Sequence, residues 1–163
     1  EQMLAPLFPV PATVFGNCHY HDFPCGTPIE PKPGVRLNTC RLNHPNRACG
    51  YRIEFAGKSI CFITDTEHPS EGLDETIAGF VRDADIMVYD AMFTEEEYPR
   101  FVNWGHSTWE QALKLGDAAG VKRVVLYHHD PNHDDEFMDR IAREADAQRP
   151  GTVVAREGLA LYP

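Results

Sequence analysis

Two short apolar runs joined by an amphipathic segment constrain the fold of this chain most strongly. Residues 85–90 read DIMVYD and residues 123–127 read RVVLY, and both have the length and composition of buried strands. Between them, Ser107 and Glu110 have the spacing of a capping box that opens a helix over residues 107–119. A strand, a helix and another strand in this order predict an α/β protein (α+β in some schemes), with helices flanking a mixed sheet.

Strands are also predicted before this unit. Residues 35–42 alternate as a strand does, and residues 51–64 form a hairpin that turns around residues 56–58. The proline-rich residues 1–34 are expected to be an extended lead-in, with a strand over residues 13–20.

Two further helices and two terminal strands complete the predicted pattern. Apolar residues at helical spacing favour a helix over residues 70–82, with Ser70 as its N-cap. Asp134 and Asp135 would open the last helix, because acidic side chains stabilise a helix N-terminus. The final segments TVVARE and LALY predict short strands.

Length and composition limit the classes of protein and partner. A chain of 163 residues is expected to form one domain, residues 1–163. The net charge of −10 argues against a nucleic-acid backbone or an anionic membrane as the main partner through bulk charge. No apolar run approaches the length of a membrane span. Five cysteines without a C-x-x-C pair indicate reduced thiols in a cytoplasmic protein.

Polar clusters follow the predicted strands. ITDTEHP, VYDAMF and LYHHDP each come directly after an apolar run, WGHST precedes a helix, and RLNHPN lies between two strands. Because strand ends meet at one edge of a sheet, these distant side chains are expected to converge. Carboxylates and neutral imidazoles are ligands that zinc prefers. The pattern therefore predicts a metal site at the edge of the sheet.

From about Asn43 to Pro131 the chain resembles the second half of the metallo-β-lactamase superfamily, especially its phosphodiesterase-like and tRNase Z-like hydrolases. LNHPNRACGYRIEF resembles a segment with a histidine ligand, CFITDTEH a strand whose terminal aspartate bridges two metals, and VLYHHDP the strand of the last histidine ligand. The resemblance implies His44, Asp65 and His128 as metal ligands. His129 remains an alternative to His128.

The same resemblance implies a mechanism. YDAMF and GHSTWEQALKLGDAAGVKRVVL resemble the segments of an auxiliary acid and histidine, here Asp90 and His106. It further implies a four-layer αββα sandwich and two divalent ions, zinc or manganese. A metal-activated water would cleave a phosphodiester substrate. Hydrolysis of a lactone or thioester, or a non-catalytic binding module that keeps the fold, are the alternatives.

One family segment has no counterpart in this sequence. The superfamily's His-x-His-x-Asp-His stretch is absent, and HYHDFP has Phe23 and Pro24 where Asp and His are needed. We therefore expect the chain to be the C-terminal half of a longer hydrolase, holding three of about seven ligands. It would pair with its N-terminal half or form a homo-oligomer. CHYHDFPC is not expected to bind zinc, since no second pair with finger-like spacing follows.

Each site residue also has a purely structural interpretation. Asp65 is placed to cap the helix near residue 70, and His44 lies in a turn-like NHPN sequence. His128 is placed for a hydrogen bond to backbone at a strand end, and His106 for ordering a helix N-terminus. Asp90 is an acid at the end of a strand, which is common.

Overall fold

The computed structural model describes residues 16–17 and 21–163, and a seven-stranded mixed sheet organises this part of the chain. The strands are β1 (Ile29–Lys32), β2 (Val35–Arg41), β3 (Cys49–Phe55), β4 (Lys58–Ile63), β5 (Ile86–Asp90), β6 (Arg123–Tyr127) and β7 (Val153–Val154). The helices are α1 (Glu75–Val81), α2 (Trp109–Ala118) and α3 (Asp135–Gln148), with one 3₁₀ turn at Tyr98–Arg100. The predicted α/β architecture is confirmed.

The strands lie in the sheet in chain order. Strands β1 to β4 pair antiparallel, and β4 to β7 pair parallel. Each connection between two parallel strands contains one α-helix. Such connections are right-handed, and since they all advance in the same direction along the sheet, their helices lie on the same face. The core lies between that face and the helices. It includes Ile63, Met87, Val124 and Leu126 from the strands.

The opposite face of the sheet is apolar and partly exposed. Side chains alternate along a strand, so the neighbours of the core residues point the other way. Among them, Ile53, Phe55, Phe62 and Tyr127 are between 39 and 59% exposed. Phe62 and Tyr127 contact each other across the sheet, with ring centroids 5.6 Å apart. These four residues define the open face.

The helix boundaries correct two predicted caps. Helix α1 starts at Glu75 rather than near residue 70, because the Asp74 carboxylate accepts the Ile77 N–H at 2.9 Å. Neither Ser70 nor Asp65 caps it. Helix α2 is capped by Thr108, whose Oγ1 accepts the Gln111 N–H at 3.2 Å.

The predicted Ser107 and Glu110 capping box is therefore wrong. The Ser107 N–H donates to Asp90, and its hydroxyl contacts His68. Glu110 instead accepts the backbone N–H of Glu95. The competing partners are distant in sequence, so local spacing alone indicated the wrong cap.

The two ends of the chain also differ from expectation. Residues 13–15 and 18–20 of the predicted first strand lie outside the described residues, and residues 16–17 are a turn. Within the predicted lead-in, β1 forms because a turn at Gly34 (φ +79°) folds it against β2. As an edge strand, β1 tolerates Pro31. The LALY segment, residues 159–162, forms no strand. Of the helices in the described ranges, none has the length and apolar character needed to span a bilayer.

Candidate metal centre

The carboxyl ends of β4, β5 and β6 bring three predicted site residues to one edge of the sheet. Asp65 lies two residues after β4, Asp90 is the last residue of β5, and His128 directly follows β6. The parallel register sets Asp90 opposite Tyr127, so Asp90 and His128 end their strands at nearly the same level. The sheet thus assembles polar groups that are up to 63 positions apart in the chain.

Asp65 and His128 both have a left-handed backbone conformation, with φ of +62° and +63°. Residues with a Cβ rarely adopt this region, and it persists only where surrounding contacts hold it. The Asp65 N–H donates to Asp90 Oδ2 at 2.9 Å, which helps to hold the turn. Strain of this kind is common at functional sites.

The Asp90 carboxylate is fully buried and joins the segments of the site. His106 Nδ1 lies 3.0 Å and His128 Nδ1 3.2 Å from Asp90 Oδ2. Four backbone N–H groups also donate to this carboxylate, those of Asp65, Thr66, Met92 and Ser107. All of these imidazole and backbone donors are therefore satisfied by the single carboxylate of Asp90.

The hydrogen bonds to Asp90 set its charge and the histidine tautomers. Burial alone would raise the pKa of Asp90, but the bonds from His106 and His128 hold this pKa below its ordinary value. An ionised carboxylate only accepts, so each imidazole donates its Nδ1–H. In the neutral rings, Nε2 of His106 and Nε2 of His128 are therefore left unprotonated. An unprotonated Nε2 can accept a proton or bind a cation.

His44, Asp65 and His106 form a group in which one ligand atom from each lies within 4.8 Å of the others. His44 Nδ1 accepts the Asn46 N–H at 3.2 Å, so the neutral His44 ring carries its proton on Nε2. Binding of a cation by either nitrogen of His44 thus requires the ring to give up this hydrogen bond. Imidazole nitrogen and carboxylate oxygen are both donors that borderline divalent ions accept.

His106 connects this group to a second group, formed by Asp90, His106 and His128. The centroid of the His106 ring lies 5.5 Å from that of His44 and 4.9 Å from that of His128. The five residues predicted from the sequence therefore form one connected cluster. His106 belongs to the same group as His44 and Asp65, whereas His128 is connected to that group only through its contact with Asp90 and His106. The assignment of His128 as a ligand stays a prediction.

The neighbouring His129 has a different environment from His128. His128 contacts Asp90 and is about one-third exposed at its side chain. Both ring nitrogens of His129 are buried without a hydrogen-bond partner among the described residues, and burial lowers the pKa of His129. Of the two candidates, only His128 contacts the Asp90 cluster through a side-chain hydrogen bond.

Glu67 is a buried site residue that the sequence reasoning missed. Its carboxylate accepts the Tyr98 hydroxyl at 2.5 Å, the Asn103 N–H at 2.8 Å and the Gly105 N–H at 2.9 Å. Its backbone N–H donates to the Asn43 carbonyl, next to His44. Glu67 thereby ties the loops that carry His44 and His106 to the end of β4. In the sequence, Glu67 lies two residues after the predicted ligand Asp65, and this proximity was the signal that could have identified it.

Gly105 allows these loops to approach each other. It has φ +90°, and a Cβ there would lie 2.3 Å from His44 Cδ2. The His44 ring packs against this glycine backbone because no side chain intervenes. Beside it opens a cavity of ≈ 340 Å³, whose lining includes His44, Glu67, His68 and Val102. The cluster is therefore accessible to a small molecule or to part of a larger one.

Sequence relatives match this part of the chain. Ribonuclease Z of Gemmatimonas aurantiaca is 34% identical over 102 residues, which are 63% of this chain and 31% of that protein. Ribonuclease Z of Halorubrum lacusprofundi is 31% identical over 149 residues, 91% of this chain and 40% of that protein. The chain thus spans between about a third and two-fifths of the length of these curated relatives.

Solved structures share the fold at low sequence identity. The metallo-beta-lactamase fold protein YhfI of Bacillus subtilis has a TM-score of 0.71 and 17% identity, over 91% of this chain and 58% of that one. Zn²⁺-bound PqqB from Methylobacterium extorquens has a TM-score of 0.66 and 18% identity, over 86% and 55%. Human tRNase Z, short form, has a TM-score of 0.61 and 16% identity, over 83% and 46%. A model of the beta-lactamase superfamily domain matches residues 3–129, and the chain therefore belongs to the beta-lactamase superfamily.

Proposed function

We propose that this chain carries part of the active site of a metal-dependent hydrolase that cleaves phosphodiester bonds. In this proposal His44, Asp65 and His128 would hold two divalent ions, zinc or manganese, with Asp65 as the ligand shared between them. His106 would act on the substrate, and Asp90 would position its ring. The supporting observation is the buried Asp90 carboxylate, which holds His106 and His128 with Nδ1 protonated and Nε2 free.

The residues present fit such a metal. A carboxylate that accepts Nδ1–H from a histidine keeps Nε2 of that ring as a ligand, an arrangement common around zinc. Asp90 has this relation to His128. The Asp65 carboxylate and one His44 nitrogen lie in the adjoining group, within 4.8 Å of His106. Two imidazoles and a carboxylate are a ligand set suited to zinc.

The side chains of this cluster have separate tasks in the proposed reaction. A bound divalent ion supplies an activated water and polarises a phosphoryl oxygen. His106 would take up a second proton on its otherwise unprotonated Nε2 and donate it to the leaving oxygen, and the buried Asp90 would stabilise the positive charge of the ring before transfer. Glu67 and Gly105 keep the His106 and His44 loops in contact. The roles of His106 and Asp90 are thus proton donor and positioning group.

The remaining ligands and a further layer are proposed to come from the rest of a longer protein. The matched solved structures are longer than this chain, which covers 46 to 58% of them. The open face has the apolar character of a surface that another layer of protein covers. We expect the 163-residue chain alone to bind metal weakly and to show little turnover.

The names of the relatives support RNA as the substrate class. The two sequence relatives described above, over 63% and 91% of this chain, are named as ribonucleases. The net charge of −10 argued against nucleic acid, but a phosphate at the active site meets the local cations of that site. The overall charge is therefore a weak reason to exclude RNA.

Metal content and turnover test the proposal. We would express the chain with the residues encoded upstream of Glu1 and measure bound zinc by mass spectrometry and hydrolysis of bis(p-nitrophenyl) phosphate. We expect Asp65→Asn and His128→Ala to lose metal together with activity. We expect His106→Ala to retain metal while kcat falls by roughly 10²–10⁴.

His133→Ala is the matched control, because His133 pairs with Glu97 outside the cluster. It should keep both the metal and the turnover. Absence of bound metal in the longer protein would contradict the proposal and favour a non-catalytic module. Turnover of a lactone or thioester, with none of a phosphodiester or RNA, would keep the metal site and reject the substrate class.

A further inference from the structure

Two cysteines far from each other in sequence are in direct contact. The Sγ atoms of Cys25 and Cys49 lie 3.1 Å apart and share a hydrogen bond, although 24 positions separate them. Cys25 is exposed, whereas Cys49 is partly buried at the first residue of β3. The Gly26 N–H donates to Thr39 Oγ1 on β2 at 2.8 Å, which fastens the segment of Cys25 to the sheet.

The surroundings of this pair favour a covalent link over a metal. Tight thiolate sites for zinc usually need four ligands. Among the described residues, the groups of three or more metal-ligand side chains all lack cysteine. Cys40 is the nearest additional thiol by strand position, since it pairs with Gly50 on β3, but it does not join the contact. Among the described residues no third ligand joins these two thiols, which favours a redox pair over a cation site.

We infer that Cys25 and Cys49 form a redox-modification site at which a hydroperoxide converts the two thiols into a disulfide. Cys25 attacks the peroxide, the O–O bond breaks, and a sulfenic acid and one water are formed. Cys49 then attacks the sulfenic sulfur, the S–S bond forms, and a second water leaves. Two electrons and two hydrogens pass from the thiols to hydrogen peroxide, which yields two waters.

The order of these steps follows from exposure. Burial, together with the hydrogen bond to Cys25, raises the pKa of Cys49 to about 11, so its thiolate is scarce at neutral pH. The exposed Cys25 meets the oxidant first. Cys49 is already in contact and resolves the sulfenic acid before a second oxidant molecule arrives.

The link would restrain the His44 loop. That loop runs between β2 and β3 and is closed by the Leu42 N–H donating to the Ala48 carbonyl. Cys49 is the first residue after this loop, so a disulfide to Cys25 would fix the end of the loop in place. A cross-link that closes a loop destabilises the unfolded chain, and we expect oxidation to raise Tm by on the order of 5–10 °C. This inference does not depend on the proposed hydrolase.

Peptide mapping of the 163-residue chain tests the link directly. After mild hydrogen peroxide treatment, the intact mass should fall by about 2 Da, as expected for one disulfide. Trypsin places Cys49 in residues 48–52, Cys40 in 37–41 and Cys61 in 59–82, while Cys18 and Cys25 share residues 1–36. Without reductant, we expect residues 48–52 joined to residues 1–36, and reductant should separate them.

Three serine variants identify the partner. Cys25→Ser should abolish the linked peptide and the rise in Tm. Cys18→Ser and Cys40→Ser, the matched controls, should retain both. A link from residues 48–52 to residues 37–41, a link that survives Cys25→Ser, or oxidation to stable sulfinic acid without any link would each overturn the inference.

Discussion

Asp90 and Glu67 are acidic residues whose carboxylates are buried while they accept several hydrogen bonds each. Charged acceptors make such bonds stronger than neutral ones, and an unpaired buried donor is costly. Burial opposes ionisation of Glu67, yet the bonds from Tyr98, Asn103 and Gly105 hold its pKa below 4.5. The folded protein thus prefers the ionised Glu67, and folding is linked to its protonation.

Glu67→Gln should destabilise the protein at pH 7 by about 1–3 kcal/mol, because the amide nitrogen cannot accept the N–H donors. This deficit should shrink below about pH 4.5. In the wild type, the unfolded chain binds the proton first, at the higher pKa, so the contribution of Glu67 is lost as pH falls. Urea unfolding at pH 7 and pH 3.5 measures both quantities.

The exposed Glu71 supplies the control. Glu71→Gln should leave the free energy of unfolding within about 0.5 kcal/mol of the wild type. A deficit of Glu67→Gln that is equal at both pH values would show that Glu67 is not ionised preferentially in the folded state.

Helix α2 carries much of the packing against the sheet because it approaches β6 closely. Its inner face, with Ala112, Leu115 and Gly116, is buried, as is Ala119 at its C-cap. A Cβ on Gly116 would lie 2.4 Å from Val124 Cγ2. Valine is stiff about its χ1 angle, so it cannot move aside easily. The glycine therefore determines how near the helix lies to the sheet.

Gly116→Ala should lower the free energy of unfolding by about 1–3 kcal/mol, because the added methyl forces α2 away from β6. Gly79→Ala in α1 is the matched control, since its Cβ would meet nothing within 4 Å. It should be neutral or stabilising by roughly 0.5–1 kcal/mol through helix propensity. Urea unfolding compares the two, and equal effects would refute the packing argument.

At the scale of the whole molecule, helices cover one face of the sheet, and the other face carries the exposed apolar residues of the open face. Three helices cover one side, while Ile53, Phe55, Phe62 and Tyr127 are exposed on the other. Exposed contiguous apolar surfaces of this kind mark contacts with other protein. When the 163-residue chain is studied alone, we expect a second copy of it to cover this surface.

We expect this chain to self-associate through the open face at concentrations of tens of micromolar. Phe62→Lys should weaken the affinity of this association by at least about tenfold, because it would bury a charge in the contact. Sedimentation velocity over a concentration series measures the association. Leu159→Lys, at a comparably exposed leucine outside the sheet, should associate as the wild type does. Equal behaviour of both variants, or a monomer throughout, would contradict this prediction.

The sequence by itself determined the order and type of most elements. The runs at 85–90 and 123–127, and the helix between them, are encoded by local apolar periodicity, which a short stretch of chain expresses without its neighbours. The convergence of the polar residues after those runs could also be predicted, because parallel strands present their carboxyl ends at one edge of the sheet. His44 and His106 depended on the family resemblance as well.

Tertiary structure alone decided how those residues meet. Asp90 Oδ2 accepts hydrogen bonds from both His106 and His128. This arrangement depends on the register of β4, β5 and β6. Glu67 reaches Tyr98 and Gly105 across more than 30 positions, which no local pattern encodes. Long-range contacts of Ser107 and Glu110 likewise moved the cap of α2 to Thr108. Hydrogen bonds between distant segments form only after folding brings their donors and acceptors together.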